Sequence, residues 1–236
     1  MAKQLTKIES QNHKNQILAE LDDYLSYLID NNSQAKADKI AFWIKDWVEY
    51  LRREEKFNPQ KMLKYKRGSI VKVHLGFNVG SEEGGLHYAI VVDADNSLGN
   101  PVFTVIPLTS VKEHTDISKL GRDQLYLGKE VYEKLEEKLE EKLRKLLDKL
   151  SAVNLSESSE EELASFQNEL AYAKRIKAEI DKMKTGSIAL TGQITTISKL
   201  RIFDPKNKYG VLKGLRVSSD TLNKLDSCLK EKYFKK

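Results

Sequence analysis

The period of the apolar positions changes three times along the chain. Across residues 14–55 the apolar side chains Ile17, Leu21, Tyr24, Leu25 and Leu28 recur at steps of three and four, and so do Ile40, Trp43, Ile44, Trp47 and Leu51. That spacing predicts two amphipathic helices, with both tryptophans on the core side. Asn31-Asn32-Ser33 separates them and offers Ser33 as an N-cap, and the second ends before Asn58-Pro59, where proline lacks the N–H that a helix needs. After Lys64 the texture turns to short β-branched runs at residues 68–75, 86–92 and 102–108, divided by Gly, Asn and Asp. These predict three strands.

Helical spacing returns from Val131 to Met183. One stripe runs through Leu135, Leu139, Leu143, Leu146 and Leu150, and a second through Leu163, Phe166, Leu170, Ala173, Ile176, Ile180 and Met183. Residues 154–159 (Asn154, Leu155, Ser156, Glu157, Ser158, Ser159) part the stripes, which predicts an antiparallel helical hairpin. Strand texture resumes at residues 187–191 and 193–197, followed by Leu200-Arg201-Ile202, and a last helix is expected after a cap at Ser218 or Ser219. The strands on either side of the hairpin are too few to be stable alone, so the hairpin is read as interrupting one β domain. The expected organisation is an N-terminal helical region (1–63), a β domain assembled from 64–127 and 185–236, and an inserted hairpin (128–184). The fold class is α+β.

Composition narrows the function only slightly. Lys and Arg outnumber Asp and Glu by 40 to 35, giving +5, an excess that permits a polyanionic partner without requiring one. Glu and Lys crowd the outer faces of the hairpin, a pattern expected of a solvated surface with i,i+4 pairs. The single cysteine, Cys228, forms no internal disulfide and fits a reducing compartment. Neither an apolar leader nor an apolar run of membrane-spanning length is visible, so a cytoplasmic protein without membrane contact is expected.

Four segments in order carry more information than composition. They are Lys66-Arg67-Gly68-Ser69-Ile70-Val71, then Val79-Gly80-Ser81-Glu82-Glu83-Gly84-Gly85-Leu86-His87-Tyr88, then Val105-Ile106-Pro107-Leu108-Thr109-Ser110, and, beyond the hairpin, Gln193-Ile194-Thr195-Thr196-Ile197-Ser198-Lys199-Leu200-Arg201. Together they resemble the R-G-[DE], V-G-S-E-x-G-G-x-R-P, [IL]-T-S and Q-I-R-T-[IV]-D-K-x-R motifs of the MazF/PemK toxins. The resemblance covers residues 66–119 and 185–230. It implies a small half-open antiparallel β-barrel of the kind shared with CcdB, a homodimer, a cognate antitoxin, and metal-independent cleavage of single-stranded RNA with no cofactor. The family's catalytic arginine falls on His87, its proline on Tyr88, its second arginine on Thr195 and the acid of R-G-[DE] on Ser69, whereas the threonine of the third motif is kept as Thr109.

RNA is cut without a metal when its 2′-hydroxyl attacks the neighbouring phosphorus, which requires a base, an acid and donors to the phosphoryl oxygens. Histidine serves either proton role near neutral pH. The expected catalytic set is therefore His87 as general acid or base, with Thr109 and Ser110 bonding phosphoryl oxygens. Arg67, Phe77, Asn78, Ser81, Glu82, Gln193, Thr195, Lys199 and Arg201 are the expected RNA contacts, Phe77 by stacking on an unpaired base and the cations by phosphate attraction. Two other functions stay open: a non-catalytic module that binds RNA or protein, and a CcdB-like gyrase inhibitor supported by fold alone.

Overall fold

A computed structural model describes residues 5–152, 159–183 and 186–234. They fall into two compact units, Met1–Arg53 and Glu54–Lys236.

The first unit is built from two helices, α1 (Lys7–Asp30) and α2 (Gln34–Glu54). Helix α1 begins earlier than its apolar stripe because Thr6 and Glu9 form a reciprocal capping box that satisfies orphan N–H groups. The helices meet near their connecting turn, where Leu28, Ala37 and Ile40 are buried. Farther out their apolar side chains face solvent. Trp47, expected in a core, is 50% exposed, and Trp43 is half-buried with its ring tilted against Tyr50. The tryptophan spacing shows that Trp43 and Trp47 share one face of α2, but the core expected for that face is not formed within the unit at Trp47.

The second unit is an antiparallel sheet with helices on its flanks. Its strands are β1 (Ile70–His74), β2 (Leu86–Val91), β3 (Val102–Ser110), β4 (Gln124–Tyr126), β5 (Ser187–Leu190), β6 (Thr195–Ser198) and β7 (Ile202–Asp204). The ladder runs β4-β5-β3-β2-β1-β7, and β6 also pairs with β3. Strand β3 is the hub: residues 105–107 pair with β2, 102–105 with β6 and 108–110 with β5. Strands β6 and β7 are joined by a single 3-10 turn, Lys199–Arg201, while pairing with opposite ends of the β3-β2-β1 ladder. The sheet therefore curls back on itself without a β6–β7 ladder among the described residues, which is the half-open barrel the motifs imply. Strand β4 escaped the sequence reading because three residues are too few to show a period.

Odd and even positions of the strands serve different cores, as pleating requires. Val71, Val73, Ala89, Val91, Phe103, Val105, Ile197 and Ile202 fill the concave side, where Tyr65 stacks on Phe103. Ile70, Ile90, Ile106 and Leu108 face outward onto α3 (Glu130–Ala152), α4 (Glu160–Ile180) and α5 (Ser219–Tyr233), through Val131, Leu135, Ile176, Ile180 and Leu225. Each such fully buried side chain contributes about 1.5–3 kcal/mol. Helices α3 and α4 form the expected hairpin, and Ser159 and Glu162 cap the start of α4. Most of its predicted turn, residues 154–158, lies outside the described residues.

A polar anchor ties the hairpin to the sheet. Lys72 and Tyr88 are register partners on β1 and β2, and both donate to the Glu179 carboxylate on α4, with the Lys72 ammonium 4.9 Å from the Tyr88 ring centre. Burial by itself raises the Glu179 carboxyl, but the two donors and the Lys72 charge outweigh it and hold the group below its ordinary value. No helix among the described residues is long and apolar enough to cross a membrane.

Candidate functional site

The segment between β1 and β2 is a long loop held at its neck. Leu75 N donates to Gly85 O and Gly85 N to Gly76 O, at 2.7 and 2.6 Å. Glycine is needed at two points: Gly85 has φ +84°, and a Cβ on Gly84 would stand 2.8 Å from Gly76 O. Within the loop, Asn78 Nδ2 donates to Glu83 O at 2.7 Å. The far side is gripped by Gln193, whose Oε1 accepts from Glu83 N and whose Nε2 donates to Ser81 O.

Beneath this loop lies an open groove of about 580 Å³. Asn78, Ser81, Glu82, Gln193, Thr195 and Arg201 line it, so six of the nine expected RNA contacts gather in one place although the extremes lie 123 positions apart in sequence. Apolar wall comes from Leu75, Pro107, Ile194 and Ile197. Arg201 Nε donates to His74 O at 2.7 Å, which fixes the guanidinium at the rim.

His87 stands beside the groove, not in its lining. Its Nδ1 lies 3.1 Å from Leu108 O and its Nε2 2.9 Å from Glu83 Oε1. A carbonyl and a carboxylate both only accept, so both contacts are hydrogen bonds when the ring carries both protons. The ring and its Glu83 partner are 25% and 24% exposed, enough for a ligand to reach them from the groove. Glu83 itself is a lining residue, so the dyad joins His87 to the groove. Thr109 follows the carbonyl that orients the ring. By strand alternation His87, Pro107 and Thr109 share the concave face, since Ala89, Val91 and Val105 of the same strands do.

The structure places three expected site residues outside the groove lining. Ser110 belongs to the Leu108 face of β3, opposite Thr109, so the two neighbouring hydroxyls do not converge. Lys199 is 1% exposed and donates to Ser97 O at 2.9 Å; burial lowers its ammonium, against the pull of Asp93. It braces the loop before β3 and does not face a ligand. Arg67 is spent on Val92 O and the Asp226 carboxylate, which pins the β2 exit to α5. A fourth, Phe77, is half-buried and absent from the groove wall. In each case a motif position was legible, but not the direction of its side chain.

Residues 66–123 match the model of the PemK-like, MazF-like toxins of type II toxin-antitoxin systems. The matched PemK/MazF-type segment is about a quarter of the chain and supplies β1, β2 and β3, the neck loop, the His87–Glu83 pair and Thr109. No curated protein matches the chain. One departure from the PemK/MazF pattern has a structural reason: where the motif carries proline, Tyr88 reaches Glu179 of the hairpin, a partner that exists only because α4 is there.

Glu83 is the functional candidate whose role the sequence did not show. It sits four residues before His87, a spacing that would signal a pair on a helix but is unreadable across a loop with two glycines.

Proposed function

We propose that the chain is an endoribonuclease toxin that cuts single-stranded RNA in the groove beneath the neck loop. The observation that carries this reading is the His87–Glu83 pair at the groove wall, inside the segment of PemK/MazF type.

A doubly protonated imidazole is an acid, and a carboxylate beside it is a base. In the proposed reaction Glu83 takes the proton of the 2′-hydroxyl as the 2′-oxygen bonds to phosphorus. The P–O5′ bond breaks, and His87 Nε2 gives its proton to the departing 5′-oxygen. Thr109 bonds a phosphoryl oxygen, and Arg201 supplies positive charge. The products end in a 2′,3′-cyclic phosphate and a 5′-hydroxyl. Leu108 O fixes the ring so that Nε2 is the exchanging nitrogen. A cognate antitoxin, a homodimer and a cytoplasmic location go with this reading.

Incubation of the purified protein with single-stranded RNA in EDTA, followed by end analysis, tests it. Cleavage with those two ends, slowed by about 10²- to 10⁴-fold by His87→Ala combined with Thr109→Ala, is expected. Absence of cleavage, or cleavage indifferent to both substitutions, overturns the proposal. A second reading is favoured by one feature: both nitrogens of His87 are already engaged within the protein. On that reading the groove binds RNA without scission, and saturable binding with intact strands is the result.

A further inference from the structure

The loop after β7 and the hairpin together form a second cradle. It is an open hollow of about 1050 Å³, walled by α4, by Lys142 of α3 and by Lys208, Tyr209 and Lys213 of the loop. The loop is rigidly placed. Tyr172 of α4 donates to Gly210 O at 3.0 Å, Arg175 to Tyr209 O at 3.0 Å, and Lys138 of α3 to both Val211 O and Lys213 O at 2.6 and 2.7 Å. From the other side Asp204 accepts from Val211 N and Leu212 N. Gly210 admits no side chain, since a Cβ would stand 2.3 Å from Pro205 Cβ. The order of these groups is therefore set before any ligand arrives.

The charges they leave behind are unbalanced. Among the described residues Lys138, Arg175, Lys208 and Lys213 have no carboxylate at ion-pair distance; two of them spend their donors on neutral carbonyls. Two acids share the wall: Glu161, and Glu169, which is paired with Lys142 and Lys149. Aromatic faces are interleaved with the cations. The Tyr172 ring is ringed by Lys138, Lys142 and Arg175 at 5.7, 5.8 and 5.3 Å, while Tyr209 is 61% exposed with Lys208 at 5.0 Å. Tyr172 is thus an organiser of charge, and Tyr209 is a platform open to solvent.

We propose that this cradle binds a single-stranded polynucleotide, with the base stacked on Tyr209 and the phosphates held by Lys208, Lys213 and Arg175. An exposed aromatic ring set among cations suits that ligand, because every base has a face to stack and every nucleotide a phosphate. An acidic protein segment would use the cations but gain little from a bare ring. The site lies outside the PemK/MazF-type segment, and it stands whether or not the groove cleaves RNA.

A 2′-O-methylated, fluorescently labelled oligouridine cannot undergo 2′-hydroxyl attack, so its anisotropy reports binding alone. Tyr209→Ala in the full chain is expected to weaken binding by about 5- to 100-fold, the worth of one stacked base. Lys208→Ala with Lys213→Ala is expected to reduce the slope of log affinity against log salt by about 1.4, near 0.7 per lost phosphate contact. Tyr209→Phe should restore the affinity, and thermal melting shows whether the variants are folded. Wild-type affinity and salt slope in folded variants overturn the proposal, as does equal competition by a poly-glutamate peptide of matched charge, which would assign the cradle to an acidic protein.

Discussion

The groove under the neck loop and the cradle on the hairpin are both polar hollows in one unit, yet they spend their polar groups differently. In the groove, partners are matched: Glu83 meets His87, and both ends of the Gln193 amide hold the loop. In the cradle, Arg175 is satisfied by a backbone carbonyl, which fills a donor without cancelling its charge, and Lys208 and Lys213 have no carboxylate at ion-pair distance among the described residues. A paired acid and base suit proton transfer at one bond, whereas uncompensated cations suit holding a chain of phosphates. What a polar surface offers a ligand thus depends on whether its internal partners are themselves charged.

The sharpest way to break this comparison is to remove the chemistry and leave the charge. If the groove alone cleaves, His87→Ala with Thr109→Ala lowers the cleavage rate by about 10²- to 10⁴-fold, the usual worth of positioned acid–base groups. Binding of the uncleavable oligonucleotide loses only the groove's own share in that variant, and its dependence on Tyr209 stays at the wild-type value. Parallel loss of both would mean the two hollows are one functional site.

Next in size is the anchor joining hairpin to sheet. Lys72 and Glu179 are 14% and 16% exposed, so Lys72→Met strands a half-buried carboxylate and is expected to cost about 3–5 kcal/mol in denaturant unfolding. Replacing both, Lys72→Met with Glu179→Leu, should cost less than the single change. The Glu179 carboxyl is held below its ordinary value, so its contribution is present above the unfolded-state pKa and is lost as pH falls through the lower folded one. An acid titration of wild type against the double variant isolates that loss.

This anchor also shows where sequence reasoning stops. The motif sequence Gly85-Leu86-His87-Tyr88 identified the strand and flagged Tyr88 as a departure, and the leucine stripes identified the hairpin. Both were legible because they are local and periodic. That Tyr88 and Glu179, 91 residues apart, would share a proton-bearing contact is a property of register and packing, which no local pattern encodes. The site was legible to the same degree. Asn78, Ser81, Glu82, Gln193, Thr195 and Arg201 converge because the motifs are loops and strand ends. Lys199 and Arg67 carry charges that sequence reads as available, and only burial and partners show that they are not.

A smaller effect is expected from Gln193→Ala. Glu83 N and Ser81 O lose their partners at once, and because one bond is part-buried and the other exposed the cost is about 0.5–1.5 kcal/mol. The loop that carries Glu83 then keeps its neck and Asn78 bonds but loses its far-side grip, so cleavage should fall chiefly through KM, with binding at the cradle unchanged. A fall in kcat with constant KM would instead place Gln193 in contact with the reacting phosphate.

The smallest effect concerns Lys138, and it separates the cradle's charge from its packing. Burial pushes this ammonium down to about 8, against the attraction of Asp204; Lys213 also lowers it, Glu141 raises it and Lys142 lowers it. Because the folded value lies below the ordinary 10.5, the folded chain releases this proton first as pH rises. Below about pH 8 both states carry the charge and the folded state bears its full burial cost. Between about 8 and 10.5 the unfolded chain holds more protons, so this group makes stability rise with pH. The slope must stay under about 1.4 kcal/mol per pH unit, the limit for one proton, and well under it because Lys138 is only partly buried and solvent screens it. Tyr65, Tyr88 and Tyr172 act oppositely: burial raises their hydroxyls, so above about pH 10 ionisation of the unfolded chain removes stability. The Cys228 thiol, also raised by burial, has the same sign above its ordinary 9.0. Urea midpoints of wild type and Lys138→Met at pH 7.5, 8.5 and 9.5 therefore isolate Lys138 as the difference between two curves. Wild type should gain on the variant as pH rises, while losing affinity for the uncleavable oligonucleotide over the same interval. Parallel stability curves would show that Lys138 keeps its ordinary charge, and the cradle's field would then be insensitive to pH in this range.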